Sequence, residues 1–214
     1  MPRNKPWEQA RIGRASSETR ERRRVLIVCE DSKSSRYYLE SFPVDKQRIE
    51  ISVLGTGMNT NSLVEEAIKK IEQAAKQRRH YSVVWCVFDR DSFPLDNYNR
   101  AFRLAKNNKI IKVAWANEAF ELWYLLHFCY LDAGLSRADY QNKLRDKGLD
   151  YDKADKTIYA KVRHLQDTAI KNAARLEKHW NDCGRACPER ENPSTGVHKL
   201  VEYLNELADL GKVD

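Results

Sequence analysis

The sequence predicts an α/β fold with a mostly parallel sheet of about four strands flanked by helices, followed by an α-helical C-terminal extension. Short, continuous apolar runs rich in β-branched residues, such as 25–29, are typical of strands that are covered on both faces. Helical patterns separate these runs through Ala116, and this alternation indicates βαβ units with right-handed crossovers. From Glu118 onward the apolar spacing is helical, and it predicts the extension.

Each strand is expected where an apolar run stops at polar or turn residues. The first run ends at the polar turn 30–34, and the second alternates like a half-buried strand until Gly55 ends it. The third run stops abruptly at an Asp-x-Asp pair. The predicted strands are 25–29, 49–54, 83–88 and 110–116.

The predicted helices begin at residues that can accept a hydrogen bond from a free backbone N–H group. The turn 30–34 precedes a short helix that ends before Pro43, the caps at 59–62 precede a long amphipathic helix, and Asp96 can cap a third. Ser194 can cap the last helix of the chain. Four further helical stretches are expected at 119–130, 136–147, 156–180 and 194–210.

Positive charge is concentrated at the N-terminal end of the chain. The 214 residues carry a net charge of +7, and residues 1–24 contribute +5 of it, with eight Lys or Arg against three Glu. A basic arm is typical of a protein with a phosphate-rich partner, and a solubilising tail is an equal alternative. The expected parts are a basic N-terminal arm at 1–24, an α/β core at 25–130 and a helical extension at 131–214 that completes the same domain.

The composition predicts a cytoplasmic protein with reduced cysteines and no membrane partner. No apolar run approaches the roughly 20 residues that span a bilayer, and the N-terminus lacks an apolar signal-peptide core. The cysteines are odd in number, and Cys29 and Cys86 fall inside strand-like runs, which favours buried thiols over a disulfide framework. A zinc site at His179, Cys183 and Cys187 is disfavoured because nothing places a fourth ligand nearby.

Acidic residues directly follow two of the predicted strands. Glu30 follows the first, and Asp89 and Asp91 end the third, where extended geometry projects both Asp side chains to the same side. Ligands bind at this carboxyl edge in open α/β sheets. Carboxylates gathered there repel one another unless a proton or a cation lies between them, and Mg²⁺ prefers such oxygen ligands. The pattern therefore predicts a Mg²⁺ (or Mn²⁺) site for phosphoryl transfer or phosphodiester hydrolysis.

A simpler interpretation of an isolated Asp-x-Asp is a cap on a helix or a turn. The acidic residue at the end of the first strand favours the metal site over this interpretation. Glu118 and Glu121 lie where the fourth strand passes into a helix, and residues three apart share one helical face. They extend the same acidic group.

Several short motifs, taken in order, resemble the RloB-like family of prokaryotic proteins. A strand that ends in Glu, followed by a later strand that ends in Asp-x-Asp, also resembles the Toprim fold of topoisomerases, primases and several nucleases. The resemblance covers about residues 24–205. The matching pieces are Val28-Cys29-Glu30, Val87-Phe88-Asp89-Arg90-Asp91, Phe120-Glu121-Leu122-Trp123 with Leu126-His127-Phe128, and Asn192-Pro193-Ser194-Thr195-Gly196-Val197.

The resemblance implies a Toprim-like domain in which Glu30, Asp89 and Asp91 hold Mg²⁺. It implies that Glu121, rather than Glu118, is the acidic residue that supports them. It further implies a role in phage defence and abortive infection, with an ATPase encoded nearby as a partner.

Six other polar residues near these motifs are candidate phosphate contacts: Lys33, Arg90, His127, Ser194, Thr195 and His198. The first two flank the acidic residues and either contact phosphate or neutralise carboxylates. The first histidine matches a family histidine, whereas a histidine on an apolar helix is otherwise typical of a hydrogen-bonded core residue. The last three lie at a predicted helix N-terminus, which is either an ordinary cap or a phosphate site.

The chain departs from the family pattern after the first strand. Asp31 occupies a position where the family has Gly, and Ser34-Ser35 replace Thr-Glu. The missing Glu removes a possible ligand for a second metal ion. Asp31 either compensates for it or crowds the phosphate, because Gly normally permits the closer approach. The departure bears on catalytic competence rather than on the fold.

These observations predict a Mg²⁺-dependent Toprim-type nuclease that cleaves DNA or RNA without sequence specificity, with the basic arm holding backbone phosphates. The alternative is a non-catalytic nucleic-acid-binding or effector subunit of a defence complex, with a degenerate metal site. A phosphotransferase is disfavoured because Glu30 stands where such an enzyme needs a nucleophilic Asp. The sequence contains no P-loop motif for ATP hydrolysis.

Overall fold

The computed structural model describes residues 22–58, 60–91, 95–184, 188 and 190–210. Residues 1–21 of the predicted basic arm lie outside the described residues. Arg23 and Arg24, which the sequence analysis placed in the arm, are instead the first two residues of the first strand.

One five-stranded sheet organises the fold, and its strand order is β2-β1-β3-β4-β5. The first four strands are parallel, as the alternation of strand and helix patterns predicts, and the fifth pairs antiparallel with β4. The strands are β1 (Arg23–Cys29), β2 (Ile49–Gly55), β3 (Val83–Asp89), β4 (Ile111–Asn117) and β5 (Ser194–Thr195).

Helices flank the sheet and continue to the C-terminal end of the described chain. A 3₁₀ turn at Arg163–Leu165 separates the sixth helix from the seventh. The helices are α1 (Ser34–Glu40), α2 (Thr60–Lys76), α3 (Leu95–Lys106), α4 (Glu121–Leu126), α5 (Arg137–Asp146), α6 (Ile158–Val162), α7 (Gln166–Asp182) and α8 (Val197–Leu210).

The predicted last helix starts later than expected. Ser194 and Thr195 were predicted to begin it, but they form β5 instead, because they pair with Asn117 and Ala116 of β4. The hydroxyl of Thr195 then accepts a 3.1 Å hydrogen bond from the backbone N–H of Val197, where α8 begins. The capping interpretation therefore holds for Thr195 rather than for Ser194.

Two other predicted helices are shorter than expected. The stretch 119–130 contains only α4, and the stretch 156–180 is divided between α6, the 3₁₀ turn and α7. In both stretches the helical spacing of apolar residues continues across the turns. Neither stretch contains a Gly or Pro that would have indicated a turn.

Strands β1 and β3 are buried on both faces, as their continuous apolar runs predict, and β2 is half-buried, as its alternating pattern predicts. Along β1, Val25, Ile27 and Cys29 face one core, and Leu26 and Val28 face the other. Helices α1 and α4–α8 cover the first face, and α2 and α3 cover the second. The helical extension therefore shares a core with the sheet. None of the helices in the described ranges is both long enough and apolar enough to cross a bilayer.

Candidate metal centre

The carboxyl ends of β1 and β3 bring Glu30 and Asp89 together. These strands are neighbours in the sheet, and the N–H of Glu30 donates a 2.9 Å hydrogen bond to the carbonyl of Val87. The N–H of Asp89 in turn lies 3.3 Å from Oε2 of Glu30, to which it donates. Two residues 59 positions apart in sequence therefore meet because their strands are parallel neighbours.

Asp91 reaches the same place by a different route from the one predicted. Strand β3 ends at Asp89, and Asp91 has a φ of +40°, so extended geometry does not persist to it. The two carboxylates still converge, because Nη2 of Arg137 lies 2.9 Å from Oδ2 of Asp89 and 2.6 Å from Oδ1 of Asp91. One cationic nitrogen bridges both groups.

Arg137 is the first residue of α5, and the sequence analysis did not identify it. The preceding residue, Ser136, caps the helix by accepting a hydrogen bond from the N–H of Asp139. This start directs the Arg137 side chain at the sheet edge, where its Nε also lies 3.9 Å from Oε2 of Glu121. We call the four carboxylates that gather here, Glu30, Asp89, Asp91 and Glu121, the acidic cluster.

Glu121 is the most deeply buried member of the acidic cluster, with 3% of its surface exposed. Its Oε1 accepts a 3.0 Å hydrogen bond from the Tyr151 hydroxyl and a 3.2 Å hydrogen bond from Nε2 of Gln141. Both donors come from the C-terminal extension and were not predicted. Glu118 instead contributes its backbone carbonyl, which accepts from the N–H of Asp91 at 3.1 Å.

Burial and mutual repulsion disfavour negative charge in the acidic cluster. Burial raises the pKa of Asp89 well above its usual value, the neighbouring Asp91 charge raises it further, and Arg137 opposes both effects. Burial also raises the pKa of Glu30 to about 7, against the lowering effect of the Asp89 N–H. Such a group of carboxylates favours a proton or a cation at its centre.

A pocket of about 370 Å³ opens over the acidic cluster. Its lining residues are Glu30, Asp31, Ser32, Gly57, Met58, Asp89, Asp91, Arg137 and Lys153. Four of these lining residues carry carboxylates, the donor type that Mg²⁺ prefers. Arg137 has 37% of its side chain exposed, so its guanidinium can turn away from the Asp89 and Asp91 carboxylates without unfolding α5.

The carboxylate oxygens of the acidic cluster suit a divalent cation chemically, but in this structure they are not spaced to surround one. Within the described ranges, no three His, Cys, Asp or Glu side chains stand close enough together to hold a metal ion. Arg137 lies between Asp89 and Asp91, where its charge compensates theirs. A metal ion held by the cluster therefore requires Arg137 to move.

The residues that depart from the family pattern take two different positions. Asp31 lines the pocket, where its Oδ1 lies 3.3 Å from Nζ of Lys153 and its Oδ2 accepts a 2.6 Å hydrogen bond from the N–H of Ser34. Ser34 and Ser35 are buried, and the Ser34 hydroxyl donates to the Tyr124 hydroxyl at 3.1 Å. The serines are part of the core, whereas Asp31 lines the pocket with both of its oxygens paired to protein groups.

Three of the predicted phosphate contacts, Lys33, Arg90 and His127, do not line this pocket. Lys33 is exposed beside it. Arg90 donates a 2.8 Å hydrogen bond to the carbonyl of Asp91 and lies over the ring of Tyr98. His127 is 1% exposed, and its Nδ1–H donates to the carbonyl of Trp123 at 2.9 Å, so its surroundings are those of a core histidine.

The remaining predicted phosphate contacts gather at the other side of β4. Ser194 and Thr195 line a separate pocket of about 140 Å³ that also includes Glu177. Nε2 of His198 lies 3.3 Å from Oε2 of Glu177, and the same carboxylate binds Lys199. The structure therefore brings Ser194, Thr195 and His198 together, but around a carboxylate and away from the acidic cluster.

The structure places the two cysteines of the strand-like runs in the core, as predicted. Cys29, Cys86, Cys129 and Cys183 are free thiols, and the first two are buried as expected. Cys187 lies outside the described residues.

Comparison with known proteins identifies the family. No curated protein and no solved structure shows significant similarity to this chain. A family model described as RloB-like protein matches residues 25–204, a range that begins within β1 and ends within α8. The chain therefore belongs to the RloB-like family.

Proposed function

We propose that this protein is a Mg²⁺-dependent (or Mn²⁺-dependent) nuclease of the Toprim type, which hydrolyses phosphodiester bonds of DNA or RNA in prokaryotic phage defence. The observation that carries the proposal is the convergence of Asp89 and Asp91 on one cationic nitrogen at the carboxyl edge of a parallel sheet, with Glu30 lining the same pocket. A cluster that holds a guanidinium in this way has the charge and the donor atoms for a hard metal ion.

In this proposal Glu30, Asp89 and Asp91 hold the metal ion, and Arg137 turns toward the pocket mouth. When bound, Mg²⁺ polarises a phosphate oxygen and lowers the pKa of a water molecule. Glu30 lines the pocket, and in this proposal its carboxylate accepts a proton from water there.

Glu121 acts as a positioning residue in the same proposal. Its carboxylate is held by Tyr151 and Gln141, and it lies 3.9 Å from Nε of Arg137. This arrangement connects the C-terminal extension to the metal-binding edge. Arg137, displaced from Asp89 and Asp91, remains in the pocket as a donor for a phosphate oxygen.

The biological setting in the proposal comes from the family resemblance. It includes a role in abortive infection and an ATPase encoded nearby as a partner. The proposed cytoplasmic location comes instead from the apolar pattern of the sequence. The substrate backbone is held without base readout by the basic arm and the surface around the pocket.

A second candidate is a nucleic-acid-binding or effector subunit that does not cleave. The observation that favours it is the pairing of Arg137 with Asp89 and Asp91, because a permanent internal cation makes a metal ion unnecessary. The burial of Ser34 and Ser35, where the family pattern has Thr-Glu, is consistent with a site that has lost one ligand.

Cleavage assays separate the two candidates. Plasmid DNA and total tRNA are incubated with the full chain in Mg²⁺, in Mn²⁺ and in EDTA, beside the variant Asp89→Asn and a control, Asp167→Asn, on the exposed surface of α7. The nuclease cleaves one substrate only with metal, the first variant loses cleavage and the control keeps it. Cleavage that is equal in all three proteins, or none with either metal, contradicts the proposed activity.

A further inference from the structure

The edge of the sheet opposite the acidic cluster carries a second concentration of charge. A groove of about 560 Å³ opens there, at the amino ends of β1 and β3. We call it the arginine groove, and its lining residues are Arg22, Arg23, Arg24, Glu50, Arg78, Arg79, His80, Tyr81 and Ser82. Five arginines face one carboxylate, which gives a net formal charge of +4 with the histidine neutral.

Strand pairing builds the groove from two distant parts of the chain. The start of β1 lies beside the segment that enters β3, and the N–H of Ser82 donates a 2.8 Å hydrogen bond to the carbonyl of Arg24. The turn after α2 supplies the other arginines. Arginines about 55 positions apart in sequence therefore line one surface.

Glu50 holds two of these arginines in place. Its carboxylate accepts a 3.1 Å hydrogen bond from Arg24 and a 2.9 Å hydrogen bond from Arg79. Arg24 also donates to the carbonyl of Arg79, and its guanidinium lies 4.5 Å from the centroid of the Tyr81 ring. These contacts hold the guanidinium groups of Arg24 and Arg79 at the groove.

Arg22, Arg23 and Arg78 are exposed at the mouth of the groove. Arg78 has a φ of +55°, a left-handed conformation that costs roughly 1 kcal/mol for a residue with a Cβ atom. Glycine adopts this conformation without that cost. An arginine at such a position adds positive charge to the groove at the expense of local stability, and this pattern is typical of binding surfaces.

Guanidinium groups bind phosphate oxygens in pairs, so the groove suits a phosphate-bearing ligand. The β1 and β3 strands are seven residues long, which separates the groove from the acidic cluster by about 20 Å at 3.3 Å per residue. A ligand that contacts both edges is therefore extended. About 20 Å corresponds to about six base-pair steps of a nucleic acid duplex.

We propose that the arginine groove is a second nucleic-acid site, which binds the phosphate backbone about 20 Å from the acidic cluster and without base readout. The choice of nucleic acid as the polyanion rests on the proposed nuclease function. Binding at the groove does not require a metal ion, because its groups are permanently charged arginines.

The test measures binding without cleavage. Fluorescence anisotropy of a labelled 20-base-pair duplex and of a labelled tRNA is recorded in EDTA for the full chain and for Arg22→Gln/Arg78→Gln. The control is Arg100→Gln/Arg163→Gln, two exposed arginines outside the groove, which changes the net charge equally. Arg78→Gly is a second groove variant that removes the charge while relieving the left-handed residue, and thermal melting verifies that each variant is folded.

The groove double variant is expected to bind at least about tenfold more weakly at 0.1 M salt, and its slope of log Kd against log salt is expected to fall by about 2. The control double variant is expected to change by less than about threefold. Equal weakening in both double variants, or no weakening in either groove variant, overturns the inference. The proposed nuclease function is judged separately, because it depends on cleavage in Mg²⁺ and on Asp89 rather than on binding in EDTA.

Discussion

The guanidinium of Arg137 donates a 2.9 Å hydrogen bond to the carboxylate of Asp89, and so joins the first residue of α5 to the last residue of β3. The same nitrogen lies 2.6 Å from Asp91. An element of the C-terminal extension thus compensates the charge at the carboxyl edge of the sheet. In the metal-free protein Arg137 performs the role that we propose for a divalent cation.

Removal of Arg137 tests this relationship directly. Arg137→Gln leaves Asp89 and Asp91 close together without a compensating charge, so we expect the metal-free protein to lose about 1–3 kcal/mol of unfolding free energy at pH 8. Mg²⁺ is expected to restore most of that loss, since it takes over the same position. Urea unfolding with EDTA and with Mg²⁺ measures both effects.

Arg145→Gln is the matched control, because Arg145 lies on the same helix and its exposed guanidinium donates to Asn142 rather than to the acidic cluster. It is expected to change the unfolding free energy by less than about 0.5 kcal/mol. Equal effects of the two substitutions on the unfolding free energy would show that Arg137 does not compensate the negative charge of the acidic cluster.

The hydrogen bond from Tyr151 to Glu121 is expected to stabilise the fold as well as the site. Tyr151→Phe leaves a carboxylate that is 3% exposed with one donor fewer, and the expected cost is about 1.5–3 kcal/mol. Tyr37→Phe, at a partly exposed ring over which Lys156 lies, serves as the control and is expected to cost less than about 0.5 kcal/mol.

A double-mutant cycle with Glu121→Met, which has no oxygen to accept the hydrogen bond, isolates this interaction from the loss of the hydroxyl itself. The two substitutions are expected to be non-additive in urea unfolding. Additive effects would mean that the 3.0 Å contact contributes nothing specific.

His127 predicts an acid sensitivity of the fold. Burial lowers its pKa to about 4, below the usual 6.5, against the raising effect of the hydrogen bond that its Nδ1–H donates to the Trp123 carbonyl. Its buried Nε2 has no hydrogen-bond partner among the described residues. The unfolded chain takes up a proton near pH 6.5 and the folded chain does not. The stability from neutral His127 is therefore fully present above pH 6.5 and is lost as the pH falls toward 4.

His127→Asn keeps an N–H for the Trp123 carbonyl and removes this titration. Between pH 7.5 and pH 5, wild type is expected to lose roughly 1–2 kcal/mol more unfolding free energy than the variant. Urea titrations at the two pH values measure the difference. An identical pH dependence in the two proteins would mean that His127 is accessible to protons in the folded state.

The parallel sheet and the meeting of Glu30 with Asp89 followed from the sequence because both depend on local patterns. Continuous apolar runs located β1 and β3, and the acidic residues that end them were predicted to meet because parallel strands share a carboxyl edge. The convergence of Asp91 was predicted for a different reason from the real one, since its backbone is left-handed rather than extended.

Arg137, Gln141 and Tyr151 could not be found in this way. Their contacts with the acidic cluster depend on how α5 and the following loop pack against the sheet, and α5 has a weak apolar pattern that does not fix its orientation. Strand β5 was missed because two residues are too few to show an alternating pattern, and the preceding Pro193 is equally typical of a helix start.

Calorimetric titration of Mg²⁺ into the full chain at pH 8, beside Asp89→Asn, is the most direct measurement of the proposed metal centre. We expect wild type to bind the ion and Asp89→Asn to bind it at least about tenfold more weakly, because the substitution removes a charged oxygen ligand from the cluster. Both proteins are expected to melt cooperatively in EDTA. Binding of equal strength in the two proteins, or no binding by a folded wild type, would contradict the assignment of Glu30, Asp89 and Asp91 as metal ligands.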